Sequence, residues 1–293
     1  MVKIRVPATS ANIGPGFDCL GIAFRLYNTF LVEEAGSGLE IYGCSEEYRN
    51  ENNLVYTSMK SCFDIIGYRH RGIRLEMDCS IPISRGLGSS AACILGGVIG
   101  ANEIASAGLN KQEILEIAAK IEGHPDNAAP ALYGGMTAAV MDGKNVVVEK
   151  QELSDQLGFY ALIPSFTLST KESRAVLPSE VSMKDAVFNI GRTAILMSGL
   201  NKGNAESIKA GCDDRLHQLY RGKLIKDYSY ITDICRSSGA LGVFLSGAGP
   251  TIMAIIDSKN KEFAEAVRIE LLRLEGAWTL RQLEVDRFGA AVG

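Results

Sequence analysis

Pro82-Ile83-Ser84-Arg85-Gly86-Leu87-Gly88-Ser89-Ser90-Ala91-Ala92 is the stretch that decides how this chain is read. A β-rich run from Ile73 to Cys79 precedes it, and a helix-compatible segment, Ala91 to Ala107, follows. Glycines let backbone N–H groups turn toward a ligand, serine hydroxyls add donors or a cation ligand, and a helix N-terminus carries partial positive charge. Together they make an anion cradle suited to phosphate. A helix entry that needs small residues for close packing has the same composition, so the loop alone leaves both readings open.

Two commoner phosphate motifs are eliminated. A Walker loop requires G-x-x-x-x-G-K-[ST], but Gly143-Lys144 is followed by Asn145 and Gly222-Lys223 by Leu224. Gly86-x-Gly88-x-x-Ala91 matches the looser dinucleotide fingerprint, yet residues including Pro82 separate it from its strand, and no acid stands at a following strand end to hold a ribose.

Working outward, two more loops of unusual composition bracket the chain. Pro7-Ala8-Thr9-Ser10-Ala11-Asn12-Ile13-Gly14-Pro15-Gly16-Phe17-Asp18 is expected to join two β runs, and Ser246-Gly247-Ala248-Gly249-Pro250-Thr251 two more. Asn12 and Asp18 could present an amide and a carboxylate to a ligand, or simply form Asx turns. Three such loops in one chain ask for a joint explanation.

The 293 residues, 46% hydrophobic and 22% charged, are those of a globular chain long enough for one large domain or two that share an interface. A net charge of -4 gives no footprint for nucleic acid or an anionic membrane. The longest uncharged stretch, Gly239 to Ile256, is broken by Ser246 to Pro250, so it reads as strand, turn, strand rather than a membrane span. The N-terminus lacks the pattern of a signal peptide, and seven scattered cysteines without a C-x-x-C pair suit a reducing compartment; a cytoplasmic protein is expected. Three dispersed histidines make no zinc motif, so any metal should be a hard cation on oxygen ligands.

Apolar spacing predicts helices over Asn53 to Ile66, Lys111 to Ile121 with Asn110 and Glu113 as a capping box, and along Phe263, Val267, Leu271 and Leu274. Strands are expected at Val2 to Val6, Ala23 to Glu33, Ile73 to Cys79, Val146 to Glu149, Phe159 to Ile163, Val243 to Leu245, Ile252 to Ile256 and Leu280 to Val285. Their irregular alternation favours an α+β fold, with the likeliest junction in the polar stretch Lys150 to Gly158.

Taken together, the three loops resemble, in order, the three signature motifs of the GHMP kinase superfamily. Within it, Pro7 to Gly21, Glu122-Gly123-His124-Pro125-Asp126-Asn127-Ala128-Ala129-Pro130 and Ser169-Thr170-Lys171-Glu172-Ser173-Arg174-Ala175-Val176-Leu177-Pro178 are most similar to the homoserine kinases. The resemblance implies an α+β N-terminal domain with a left-handed βαβ crossover over residues 1–152 and a ferredoxin-like domain over 153–293. It further implies ATP-dependent phosphorylation of the L-homoserine hydroxyl on the route to threonine, and a homodimer.

Residue by residue, the resemblance makes Pro82 to Ala92 the ATP phosphate cradle, Ser90 and Glu122 the Mg²⁺ partners, and Asn12, Asp18, His124, Thr170, Arg174 and Arg221 the homoserine contacts, with Asp126, Asn127 and Asn12 at the reacting groups. Glu122 and His124 are separated by Gly123 alone, a shorter spacing than in several homoserine kinases, which leaves Glu116 as a second choice of metal partner. The chemistry agrees in kind: homoserine offers an ammonium for Asp18, a carboxylate for arginine and a hydroxyl for Asn12. Mevalonate offers no ammonium. Another small alcohol such as mevalonate or shikimate is the alternative acceptor, and a nucleotide-responsive binding protein the alternative class. A side chain at Gly88 is expected to block the phosphate while leaving the core untouched.

Overall fold

The computed structural model describes residues 1–274 and 277–293. Its first sheet is built from β1 (Val2–Ala11), β2 (Leu20–Glu34), β3 (Gly38–Tyr42), β4 (Gly72–Cys79), β5 (Met136–Asp142) and β6 (Asn145–Gln151). A second sheet holds β7 (Leu157–Pro164), β8 (Gly242–Leu245), β9 (Ile252–Asp257) and β10 (Trp278–Leu283), and the last short strand, β11 (Ala291–Val292), returns to pair with β1. The order in the first sheet is β11-β1-β2-β4-β3, with β5 also on β2 and β6 on β5; only β3–β4 is a parallel pair. The second sheet is antiparallel in the order β10-β7-β9-β8, the ferredoxin-like arrangement.

β1 is longer than expected and corrects the reading of Pro7 to Asp18 as one loop. The register of β1 against β2 shifts between Pro7 and Ala8, so the missing proline N–H is absorbed by a bulge and the strand continues to Ala11. The loop proper is residues 12–19. Three strands escaped expectation altogether, β3, β5 and the two-residue β11. A third difference is small: the helix after the glycine loop runs Ser89–Ala105 rather than Ala91 to Ala107.

Around the first sheet lie α1 (Leu54–Ile66), α2 (Ser89–Ala105), α3 (Lys111–Glu122) and α4 (Ala128–Tyr133). Asn53 caps α1 by accepting from the Val55 and Tyr56 amides, and the Asn110–Glu113 capping box opens α3 as its sequence predicts. Gly123, left-handed at φ +90°, stops α3 so that Glu122 is its last residue and His124 to Asn127 turn back toward the sheet. The second half carries α5 (Thr170–Ala175), α6 (Met183–Lys202), α7 (Ala205–Gly211), α8 (Gln218–Arg221), α9 (Tyr228–Ser237) and α10 (Phe263–Leu271). No helix among the described residues is long and apolar enough to cross a membrane.

β7 is apolar throughout because both faces are covered. Tyr160 and Leu162 pack with Ile231, Ile234, Phe263 and Val267 of α9 and α10, whereas Phe159, Ala161 and Ile163 join the core of the first sheet. The Phe24 and Phe159 rings meet edge to face at 5.5 Å across the two sheets. Burying one such side chain contributes about 1.5–3 kcal/mol, so the shared core holds the two halves together without a visible linker. The site lies where they meet.

Candidate active site

Three backbone turns form the floor, and hydrogen bonds among them set its shape. Ser246 Oγ lies 2.7 Å from Ser10 Oγ and donates to the Gly86 carbonyl at 2.5 Å, so one buried hydroxyl ties its own loop to the end of β1 and to the middle glycine loop. Asn12 Nδ2 donates to the Gly247 carbonyl at 2.8 Å, and the Gly247 amide to Ala11 at 3.0 Å. Arg85 spans the two halves, donating from Nε to the Pro164 carbonyl at 3.0 Å and from a terminal nitrogen to Ser165 at 2.7 Å.

The middle loop ends in the N-terminus of α2. Gly88 is its N-cap, left-handed at φ +73°, and gives the cap no side-chain oxygen. The Ser89, Ser90 and Ala91 amides therefore begin the helix without intrahelical acceptors, while Ala92 N–H already bonds Gly88 at 2.9 Å. Of the eleven residues of this stretch, Leu87, Ala91 and Ala92 point into the core; Pro82 to Gly86 and Gly88 to Ser90 line the cavity. A Cβ built on Gly88 would run into Thr9 Oγ1, so the expectation that a side chain there spares the core is wrong: Thr9 is fully buried.

Ser90 Oγ donates to Glu122 Oε2 at 2.9 Å across the gap between α2 and the end of α3. Burial raises the Glu122 pKa, against the lowering pull of His124 and the Ser90 hydrogen bond. Glu116 instead accepts from Gln112 Nε2 at 2.8 Å and lies outside the cavity wall.

Beyond this pair, charged groups converge. Asp18 takes a bidentate grip from Arg174, at 2.8 and 3.1 Å, and its own amide donates to Asn12 Oδ1 at 2.8 Å. Both Asn12 (φ +67°) and Asp18 (φ +55°) are left-handed, the conformation these two residue types tolerate best. His124 Nδ1 sits 2.5 Å from Asp126 Oδ1, and Asn127 Oδ1 accepts from Thr9 Oγ1 at 2.8 Å. Burial alone would lower the His124 pKa, but the hydrogen bond and charge of Asp126 outweigh it and raise it. Ligand atoms of Asp18, His124 and Asp126 all lie within 4.8 Å of one another.

Arg221 is only 1% exposed, although it stands at the end of the short helix α8. Burial first, and the neighbouring Arg174 charge second, lower its pKa to about 10, so it stays protonated at neutral pH. Thr170 opens α5 from the exposed rim, over a Ser169–Glu172 capping box.

Asn12, Asp18, Ser90, Glu122, His124, Asp126, Asn127, Thr170, Arg174 and Arg221 line one cavity of about 710 Å³. Its far wall, which sequence reasoning missed, carries Cys44, Tyr48, Asn53, Leu54, Met77, Cys79 and Cys93. Burial pushes the Cys79 thiol up to about 11 and the Cys93 thiol to about 12, so both are neutral, weakly polar surface. No local signal marks them, because they come from separate segments: Cys44 and Tyr48 after β3, Asn53 and Leu54 at the start of α1, Met77 and Cys79 on β4, and Cys93 on α2.

Comparison with known proteins shows the family to which the chain belongs. The model for the N-terminal domain of GHMP kinases matches residues 53–135, and that for the GHMP kinase C-terminal domain residues 196–271. A homoserine kinase of Clostridium botulinum (strain ATCC 19397 / Type A) is 52% identical over 292 residues, covering 100% of this chain and 98% of the relative. One of Clostridium beijerinckii is 46% identical over 294 residues, at the same coverage. Among solved structures, homoserine kinase from Cytophaga hutchinsonii superposes with a TM-score of 0.87 at 27% identity, covering 99% of this chain and 96% of that one. Mevalonate kinase from L. major, in complex with R-mevalonate, shares the fold at a TM-score of 0.73 and 16% identity, over 99% and 97% of the two chains.

Proposed function

The chain belongs to the homoserine kinases of the GHMP kinase family, and on that premise we propose that it transfers the γ-phosphoryl group of ATP to the side-chain hydroxyl of L-homoserine. The products are O-phospho-L-homoserine and ADP, on the route to threonine. One observation carries the reading: a carboxylate, Asp18, and two guanidiniums, Arg174 and Arg221, line the same cavity as the amide-rich N-terminus of α2. That is the charge pattern of an amino-acid zwitterion beside a phosphate site.

In this reading the Ser89, Ser90 and Ala91 amides hold the nucleotide phosphates, and the neutral wall of Met77, Cys79 and Cys93 takes the base. Asp18 receives the ammonium, Arg174 and Arg221 receive the carboxylate, and His124 and Thr170 complete the contacts. Asn12 holds the hydroxyl. Phosphoryl transfer passes through a loose transition state, so positioning contributes more than activation of the nucleophile. Asp126, gripped by His124 and next to Asn127, accordingly holds its loop in place, and the hydroxyl proton leaves to a γ-phosphate oxygen.

Ser90 and Glu122 fit Mg²⁺: two hard oxygen donors 2.9 Å apart at the cavity wall, one of them a carboxylate whose ionised form burial disfavours and a cation would restore. When bound there, held by Ser90 and Glu122, the ion would offset the charge of the nucleotide phosphates. The seven cysteines are all free thiols, which supports the cytoplasm as the compartment. A homodimer belongs to the same reading and is checked by sedimentation equilibrium. The decisive experiment is ADP release with a panel of L-homoserine, mevalonate and shikimate. Turnover with homoserine alone supports the proposal; turnover with an uncharged or purely acidic alcohol, or none, would sink it.

A further inference from the structure

Arg221 is held on three sides. Its Nε donates to the Ser173 carbonyl at 3.2 Å, one terminal nitrogen donates to Gly247 at 3.1 Å, and the same nitrogen lies 3.4 Å from His217 Nδ1. The Phe17 ring lies 5.0 Å from its guanidinium carbon. The second terminal nitrogen has no hydrogen-bond partner among the described residues, and Arg221 lines the cavity. The guanidinium thus keeps one edge for a ligand.

His217, fully buried, has no contact with the cavity and no part in the site assembled above. Its Nε2 lies 2.9 Å from the Gly14 carbonyl. A carbonyl can only accept, so Nε2 carries the hydrogen and Nδ1 is left as an acceptor facing Arg221. The ring stacks on Phe17 at 5.2 Å and 23°, and Phe17 also lies 5.7 Å from the Arg174 guanidinium carbon. Beneath it, the buried Asp214 carboxylate accepts from the amides of Leu216, His217 and Gln218 and from Asn189 Nδ2. Asn189 and Thr193 in turn donate to the Pro15 carbonyl, both at 3.3 Å.

We propose that His217 is a positioning residue for the substrate carboxylate: Nδ1 aims the free edge of Arg221 into the cavity, and Nε2 pins the loop that carries Asp18. The inference rests on the homoserine reading and adds to it a residue outside the cavity that selects for α-amino acids.

The test compares His217→Phe, which keeps a ring but no acceptor, with His217→Asn, whose amide oxygen replaces Nδ1, and His217→Gln, whose amide reaches toward Gly14. Readouts are KM for homoserine, KM for ATP, kcat, thermal melting, and inhibition by 2-amino-1,4-butanediol, which lacks the carboxylate. His217→Phe should raise KM for homoserine about tenfold or more, leave KM for ATP within about twofold, and weaken inhibition by the diol clearly less than it weakens homoserine. His217→Asn should recover most of the loss and bind homoserine better than His217→Gln, a comparison that stands even where the phenylalanine variant does not fold. Equal losses for homoserine, diol and ATP, an unchanged KM, or His217→Gln outperforming His217→Asn would overturn the role of His217. Failure of the unaltered chain to release ADP with homoserine would instead remove the function itself.

Discussion

Replacing Gly88 by alanine tests the phosphate cradle at its tightest point. Gly88 sits at φ +73°, ψ 22°, where an alanine is strained by about 1–2 kcal/mol. The new Cβ runs into Thr9 Oγ1, and Thr9 cannot retreat: it is fully buried in β1 and its amide donates to Leu87 at 3.1 Å. Its side chain must therefore rotate, and the buried hydrogen bond to Asn127 Oδ1 is lost, which costs about 1–3 kcal/mol. The sum, roughly 2–5 kcal/mol, is a large share of the 5–15 kcal/mol typical of a folded domain. Urea unfolding at constant slope measures it, and a cycle with Thr9→Ala dissects it. Thr9→Ala already lacks that hydrogen bond, so Gly88→Ala should be milder in its background by about 1–3 kcal/mol. Turnover should fall too, because Asn127 adjoins Asp126. Strict additivity, within about 0.5 kcal/mol, would refute the coupling through Thr9.

Four further outcomes follow from the site. Arg174→Ala and Arg221→Ala should each raise KM for homoserine about 10- to 150-fold with little effect on ATP; only Arg221→Ala should also lower the melting temperature, since it empties a buried position and removes the side-chain donor to the Ser173 carbonyl. Asp18→Asn should weaken homoserine yet tighten 4-hydroxybutyrate, which lacks the ammonium, because Arg174 is released from its pair; competition assays with both compounds decide. Asp126→Asn should lower kcat by less than about 100-fold with weak dependence on pH, whereas a loss beyond about 10³-fold with the acid limb abolished would make Asp126 the general base. Burial holds His217 below its ordinary pKa, so as pH falls through the unfolded value of about 6.5 the unfolded chain takes a proton the folded chain refuses, and stability present above that pH is lost. His124, raised, works in the opposite sense, its contribution present at low pH and lost as pH rises through its folded value. Urea midpoints between pH 5 and 8 should show a shallower acid decline for His217→Gln than for the unaltered chain.

Legibility in the sequence followed how local each signal was. The Asn110–Glu113 box and the apolar spacing of α3 are complete within a few residues, and the helix forms where they place it. The glycine loops were visible because their composition is rare, although Pro7 suggested a loop where a bulge lets β1 continue to Ala11. β3 and β5 were not visible: the first is a five-residue edge strand whose apolar face is only Leu39 and Ile41, and the second dilutes its pattern with alanines. Partnership was the least legible. Nothing near Arg221 in sequence announces that it will be buried against Phe17, Ser173 and Gly247, which are contributed by three separate segments. Nor does anything mark the sulfur-rich wall, whose Cys44, Met77, Cys79 and Cys93 come from the chain after β3, from β4 and from α2.

The pairing of Asp18 with Arg174 bears on which substrates the cavity accepts. Any ligand that contacts either group must take it from the other, and the magnitudes decide who wins. Both side chains are about a third exposed, 34% and 38%, so their mutual attraction is that of a surface pair, about 0–1 kcal/mol. A charge-assisted contact to a ligand contributes about 1.5–3 kcal/mol, and a zwitterion makes one with each partner. Its entry therefore replaces one weak pair by two stronger contacts, while a ligand with a single charge leaves Asp18 or Arg174 without a partner beside the buried Arg221. An uncharged alcohol gains neither contact and still has to part the pair. Discrimination against such alcohols thus needs no steric wall; it arises because the protein's own two charges already satisfy each other as well as an incomplete substrate could.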